Sequence, residues 1–195
     1  MGENRLRILI AEDESVTVLS LKKTLEGMGH SVVAIARDGK EAILHAERVR
    51  PDLILMDIKM SGLNGLDAAE EILQKRPTPV IILTAYSEKS FIERASDIGI
   101  STYLVKPVTD EDLKPAITLA IDRFRERQSL ASAVSIMKET LENKKFIEKA
   151  KWILVKQFGI SEDEAHRRLQ QLSREGNVKM VEIAKSIISG GKTQE

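Results

Sequence analysis

The chain has 195 residues, 42% of them hydrophobic and 31% charged, which excludes an extended disordered or fibrous protein and allows one ordinary domain followed by a small one. No run approaches the roughly 18 apolar residues of a membrane span, Met1-Gly2-Glu3-Asn4-Arg5 lacks the apolar core of a secretion signal, and the absence of cysteine excludes disulfides and thiolate metal sites. A cytoplasmic protein with no membrane partner is expected. The formal charge is zero, yet residues 1–121 carry 15 Lys/Arg against 19 Asp/Glu and the remainder 15 against 11. An acidic half thus precedes a basic one, a distribution compatible with nucleic acid as a partner of the second half.

In chain order, the first strand is expected over Arg7–Ala11, followed by an amphipathic helix over Val16–Met28. Further strands are read at Ser31–Ala36, Asp52–Met56, Pro79–Leu83 and Ser101–Val105, with helices at Gly39–Arg48, Leu66–Lys75 and Lys89–Ile98 between them. Most of the strands are continuously apolar, as strands of a parallel sheet covered on both faces must be. Five βα repeats with short connections give an α/β domain with a doubly wound five-stranded parallel sheet, whose ligand site belongs at the carboxyl ends of the strands.

After Pro107 the chain reads as helix almost to its end. Thr109-Asp110-Glu111-Asp112 is a helix start rich in acids. Leu113, Ile117, Ala120 and Phe124 form one apolar stripe, and Leu130, Val134, Met137 and Leu141 form another at coiled-coil spacing, one residue out of phase with the first. Either the helix breaks near Arg125–Ser129 or its apolar face rotates. A third stripe runs through Phe146, Ile147, Ala150, Ile153 and Leu154. Gly159-Ile160-Ser161 then breaks the helix, with Ser161 as N-cap and Glu164 completing a capping box; Gly176-Asn177 is the next break and Gly190-Gly191 ends the last helix. The second part is a small all-α unit of about three helices. The expected division is 5–121, a helical linker over 122–141 that is a possible coiled coil, and 142–189.

Chemistry-bearing groups gather at the strand ends. Glu12 and Asp13 follow the first strand, Asp57 the third, Thr84 the fourth and Lys106-Pro107 the fifth. Carboxylates crowded on one sheet edge repel unless a cation lies among them, and an all-oxygen donor set suits Mg²⁺. Such an ion fits phosphoryl chemistry, with Lys106 and the Thr84 hydroxyl as partners for phosphate oxygens and Asp57 as the nucleophile that forms an acyl phosphate.

With these residues, and with Leu55-Met56-Asp57-Ile58-Lys59-Met60, Gly62-Leu63-Asn64-Gly65 and Thr84-Ala85, the first 120 or so residues resemble a response regulator receiver domain of flavodoxin-like fold. The resemblance implies that Asp57 is the phosphoacceptor, supplied by a cognate histidine kinase. It implies that Asp13, Asp57 and the backbone carbonyl of Lys59 ligate Mg²⁺ while Glu12 assists through water, that Thr84 and Tyr103 form a switch pair, and that the Lys106–Pro107 peptide is cis. Ser61 departs from the family, which usually has proline there.

Residues from about 134 to 189, with Leu141-Glu142-Asn143-Lys144-Lys145-Phe146-Ile147, Gly159-Ile160-Ser161-Glu162-Asp163-Glu164-Ala165 and Leu169-Gln170-Gln171-Leu172-Ser173, resemble the ANTAR antitermination domain. That similarity implies an output of three helices that captures a pair of RNA hairpins in a transcript leader and prevents termination. Trp152 stands where the family usually has glycine, Val155 where it has methionine, His166 where it has an aromatic residue and Arg174 where it has methionine. Lys144, Lys145, Lys149 and Lys151 on one helix and Arg167 and Arg168 on the next are candidates for phosphate contacts, and Asn143, Gln171, Ser173 and Arg174 for base contacts. Trp152 is expected between helices, with base stacking as the alternative.

The function expected is phosphorylation-dependent antitermination, with homodimerisation through Leu130–Leu141 on phosphorylation and no turnover of an external substrate. The alternatives are a DNA-binding transcriptional regulator and a relay that binds only proteins.

Overall fold

The five strands of the first unit are β1 (Arg7–Ala11), β2 (Ser31–Ala36), β3 (Leu53–Asp57), β4 (Val80–Thr84) and β5 (Thr102–Val105). They pair in parallel in the order β2-β1-β3-β4-β5. Helices α1 (Ser15–Gly27), α2 (Gly39–Val49), α3 (Gly65–Lys75) and α4 (Lys89–Asp97) connect them, and α5 (Asp110–Phe158) follows. The computed structural model describes residues 5–85, 89–100 and 102–190, and only the backbone of 89–92. Ser101, Gly191 and the Met1–Asn4 segment, all used in the sequence reading, lie outside the described residues.

The alternation of side chains along each strand builds two cores. Leu9, Ala11, Ile54, Met56, Val80 and Ile82 face Ala42, Ala46, Leu66, Ala69 and Ile72 of α2 and α3. Ile8, Ile10, Leu53, Leu55, Ile81 and Leu83 face Leu21 and Leu25 of α1 and Leu113, Ala116, Ile117 and Ala120 of α5. Two covered faces explain the uninterrupted apolar runs of β1, β3 and β4, whereas the edge strands β2 and β5 are only partly buried. β3 and β4 each end one residue later than expected, because Asp57 and Thr84 still pair in the ladder, with Leu83 and Val105 respectively.

Caps start several of the helices. Asp38 accepts from the Glu41 amide at the start of α2, and Asn64 from the Asp67 amide at the start of α3. At α5, Thr109 donates both its amide and its hydroxyl to the Asp112 carboxylate, at 3.0 and 2.6 Å. α5 then runs for 49 residues. No break occurs at Arg125–Ser129; of the two possibilities read from the phase shift, the apolar face rotates, as a one-residue slip on a helix turns it by about 100°.

The chain divides into two compact units between Gln128 and Ser129, inside the stretch expected to be a linker. In the second unit, the end of α5 packs with α6 (Glu162–Glu175) and α7 (Met180–Ile188) around Ala150, Leu154, Ala165, Leu169 and Ala184. Ser161 caps α6 by accepting from the Glu164 amide at 3.2 Å, and Asn177 (φ 49°) turns the chain toward α7. The expectation that Trp152 packs between helices is corrected, since it is 58% exposed. Ala150 and Leu154 bracket it on the buried side of α5, so residue 152 falls on the opposite side of the helix.

Candidate functional site

Parallel strands that all run in one direction bring their carboxyl ends to one edge, and the candidate groups meet there. Ligand oxygens of Glu12, Asp13 and Asp57 lie within 4.8 Å of one another, with Glu12 and Asp57 buried and Asp13 exposed. Lys106 Nζ sits 2.8 Å from Asp57 Oδ2 and 2.6 Å from Glu12 Oε2. The first contact is a hydrogen bond; the second is a charge pairing in which no donor is aligned on Glu12 Oε2. Burial, reinforced by the Asp57 charge, raises the Glu12 pKa against the opposing pull of Lys106. For Lys106, burial acts to lower the pKa, and the adjacent carboxylates of Asp57 and Glu12 outweigh it, so its pKa is raised and it stays cationic.

The loops are shaped to hold these groups. The Glu14 amide donates to Glu12 Oε1 at 3.2 Å, and the Lys59 amide approaches Asp57 Oδ1 at 3.4 Å. Ser61 gains meaning here: its amide donates to Asp13 Oδ2 at 3.3 Å, a bond proline could not make. The glycine of α3's first turn is fixed by space, since a Cβ on Gly65 would stand 1.8 Å from the Asp57 carbonyl oxygen. The sequence carried this as a motif glycine and nothing more. The Lys106–Pro107 peptide is cis, and the Lys106 amide donates to the Thr84 carbonyl at 2.8 Å. Thr84 is buried at the end of β4, whereas Tyr103 on the edge strand β5 is 46% exposed.

Three carboxylates, an exposed opening at Asp13 and a buried carboxylate oxygen with no aligned donor suit a hard divalent cation with oxygen ligands, and Mg²⁺ fits that donor set.

The basic candidates of the second unit are dispersed. Lys144, Lys145, Lys149, Arg167 and Arg174 are exposed, and Asn143 is half-buried. Lys151 is not available in the same way: its side chain is 12% exposed and bridges Glu148 and Glu162, at 3.0 and 2.8 Å, tying α5 to α6. Arg168 lies over the Phe158 ring, Gln171 donates to Glu175 and the Ser173 hydroxyl donates to the Val178 carbonyl.

The fold and this edge define a doubly wound α/β domain with an acidic strand-end site, followed by a helical unit. The family model for the response regulator receiver domain matches residues 8–118, and the ANTAR domain model matches residues 136–188. The chain belongs to the response regulators that join a receiver domain to an ANTAR domain. The transcriptional regulatory protein PdtaR of Mycobacterium tuberculosis is 41% identical over 182 residues, covering 93% of this chain and 89% of that protein. Among solved structures, the signal receiver domain of a modulated diguanylate cyclase from Desulfovibrio desulfuricans aligns with TM-score 0.60 and 30% identity, over 64% of this chain and 99% of that one. A CheY-like receiver from Methanospirillum hungatei aligns with TM-score 0.59 and 28% identity, again over 64% and 99%. Some matched proteins are methylesterases aligned over 55% to 65% of this chain, whereas PdtaR, aligned over 93% of it, is a transcriptional regulatory protein. The domain pair is that of a response regulator, and among the described residues no helix is long and apolar enough to cross a membrane.

Proposed function

We propose that this chain accepts a phosphoryl group on Asp57 from a histidine kinase and thereby controls an RNA-binding output that prevents transcription termination. The observation that carries the reading is Lys106 bridging Asp57 and Glu12 beside Asp13, at one edge of the sheet. An Asp57 carboxylate oxygen forms the new bond to phosphorus as the bond from phosphorus to the kinase imidazole nitrogen breaks, and the electron pair of that bond stays on nitrogen. Asp13, Asp57 and the Lys59 carbonyl, with Glu12 acting through water, would hold Mg²⁺, which would supply charge neutralisation at the phosphoryl oxygens. Lys106 pairs with one of those oxygens, having a compact charge already aimed at Asp57. The Thr84 hydroxyl takes another, and Tyr103, on its exposed edge strand, turns inward as Thr84 moves.

In the output, Lys144, Lys145, Lys149 and Arg167 serve phosphates, and Asn143 and Arg174 serve loop bases. Arg168, Gln171 and Ser173 reach RNA only by releasing their present partners, and Lys151 is a structural bridge. The exposed stripe Leu130, Val134, Met137 and Leu141, each more than half exposed, pairs between two phosphorylated chains, so that one dimer holds two hairpins.

The test incubates the protein with acetyl phosphate and magnesium, then measures its mass, its sedimentation with and without beryllofluoride, and its binding to a two-hairpin leader RNA against duplex DNA. Wild type gains one labile phosphate, a doubled mass in sedimentation and tighter hairpin binding, and Asp57→Asn gains none of these. Phosphate uptake that survives Asp57→Asn ends the proposal, as does a preference for duplex DNA.

A further inference from the structure

A single tryptophan occurs in the chain, and it stands on the outside of α5. At about 100° per residue, Lys138, Lys145, Lys149 and Lys156 all fall within about 60° of Trp152 around the helix. They form a stripe about 27 Å long on the side away from Ala150 and Leu154. All four lysines are exposed. Glu148 borders the stripe, but its carboxylate is turned to Lys151 at 3.0 Å. The surface around the ring is therefore strongly cationic. Lys156 Nζ lies 4.0 Å from the Trp152 ring centroid, a cation over one aromatic face.

An exposed indole set among lysines has the two components of a single-strand nucleic-acid site, a π-surface for a base and cations for the flanking phosphates. We infer that Trp152 is a stacking platform for an unpaired loop base of the RNA, with Lys149 and Lys156 on the adjoining phosphates. This rests on the RNA-binding reading above and adds to it a specific aromatic contact. A second copy of this chain is the competing occupant, because Leu141 precedes Trp152 on nearly the same side of α5. Charge decides against it: past Leu141 this side carries Lys145, Lys149 and Lys156, which would oppose one another across a pairing of identical helices, whereas they complement a polyanion.

The indole is its own reporter. The full-length protein is titrated with a two-hairpin leader RNA, following tryptophan fluorescence and, separately, affinity by filter binding, for wild type and the Trp152→Phe, Trp152→Leu, Trp152→Ala and Lys156→Ala variants. Circular dichroism confirms the helices in each. Stacking predicts saturable quenching in wild type and affinity reduced about 5- to 100-fold in Trp152→Ala and Trp152→Leu but largely kept in Trp152→Phe. Lys156→Ala lowers the slope of log affinity against log salt by about 0.7. Normal RNA binding with unchanged fluorescence and undiminished affinity in Trp152→Ala overturns the stacking role and leaves the RNA reading standing. Fluorescence that responds to protein concentration and not to RNA, with Trp152→Leu behaving as wild type, assigns the ring to a second copy instead. No RNA binding by wild type overturns both.

Discussion

At Gly65 the backbone of one element is pressed against the backbone of another at Asp57, and the residue has no freedom to change. A methyl group there would stand 1.8 Å from the Asp57 carbonyl oxygen and 3.0 Å from Met56 Cγ, so strand end and helix start must separate to admit it. Gly62, three residues earlier, has φ 73° but no atom within 4 Å of an added Cβ. Gly62→Ala therefore costs only the left-handed backbone, about 1 kcal/mol, while Gly65→Ala costs more than ~2 kcal/mol and displaces Asp57. Urea unfolding together with phosphate uptake from acetyl phosphate checks this: uptake should fall in Gly65→Ala and persist in Gly62→Ala. Equal effects of the two substitutions would mean that the contact with Asp57 is unimportant. Lys106 carries a related lesson. Its type and strand-end position are visible in the sequence, but its contact with Glu12 as well as Asp57 depends on how β1, β3 and β5 line up.

Among the elements, α5 begins on a carboxylate whose charge matters. The Thr109 hydroxyl and, secondarily, its amide hold the Asp112 pKa below its ordinary value of 3.8. A folded-state pKa below the unfolded one means that the stabilisation is present above 3.8 and is lost as pH falls through the lower folded-state value. The stability difference between wild type and Asp112→Asn is thus expected to hold at neutral pH and vanish in strong acid, measured by denaturant unfolding across that range. A difference independent of pH would show that the hydrogen bonds and not the charge do the stabilising. The same helix shows why periodicity alone left its middle open. Leu113, Ile117 and Ala120 are buried against the sheet, Leu130 and Met137 are exposed, and Ala150 and Leu154 are buried again. One helix can serve several neighbours in turn by rotating its apolar face, and a phase slip looks the same whether the backbone breaks or continues.

For the molecule as a whole, the two units differ greatly in the core each commands. The first buries large side chains on both faces of a sheet, whereas the innermost residues of the second are Ala150, Leu154, Ala165, Leu169 and Ala184, ringed by only partly buried side chains such as Ile147, Met180 and Ile183. A small core leaves little reserve. Leu154→Ala should cost about 2–5 kcal/mol, enough to unfold the second unit and abolish RNA binding while phosphate uptake by the first unit stays at the wild-type level. Calorimetry with a phosphate-uptake assay checks this, and loss of uptake would mean that the two units fold as one.

The succession of elements, the parallel sheet, the cap at Ser161 and the placing of Glu12, Asp13, Asp57, Thr84 and Lys106 at the strand ends were legible in the residues alone. Each depends on local pattern: two-sided burial gives continuous apolar strands, a short hydroxyl side chain caps a helix, and parallel strands must place their ends on one edge. Tertiary structure decided what depends on which neighbour arrives. The Ser61 amide reaches Asp13, Lys151 is claimed by Glu162, α5 continues through its phase slip, and Trp152 is left outward. A side chain's type states which partners it can accept, but whether a partner stands within a few ångströms is settled only when distant segments pack, because contact energies vanish over that distance.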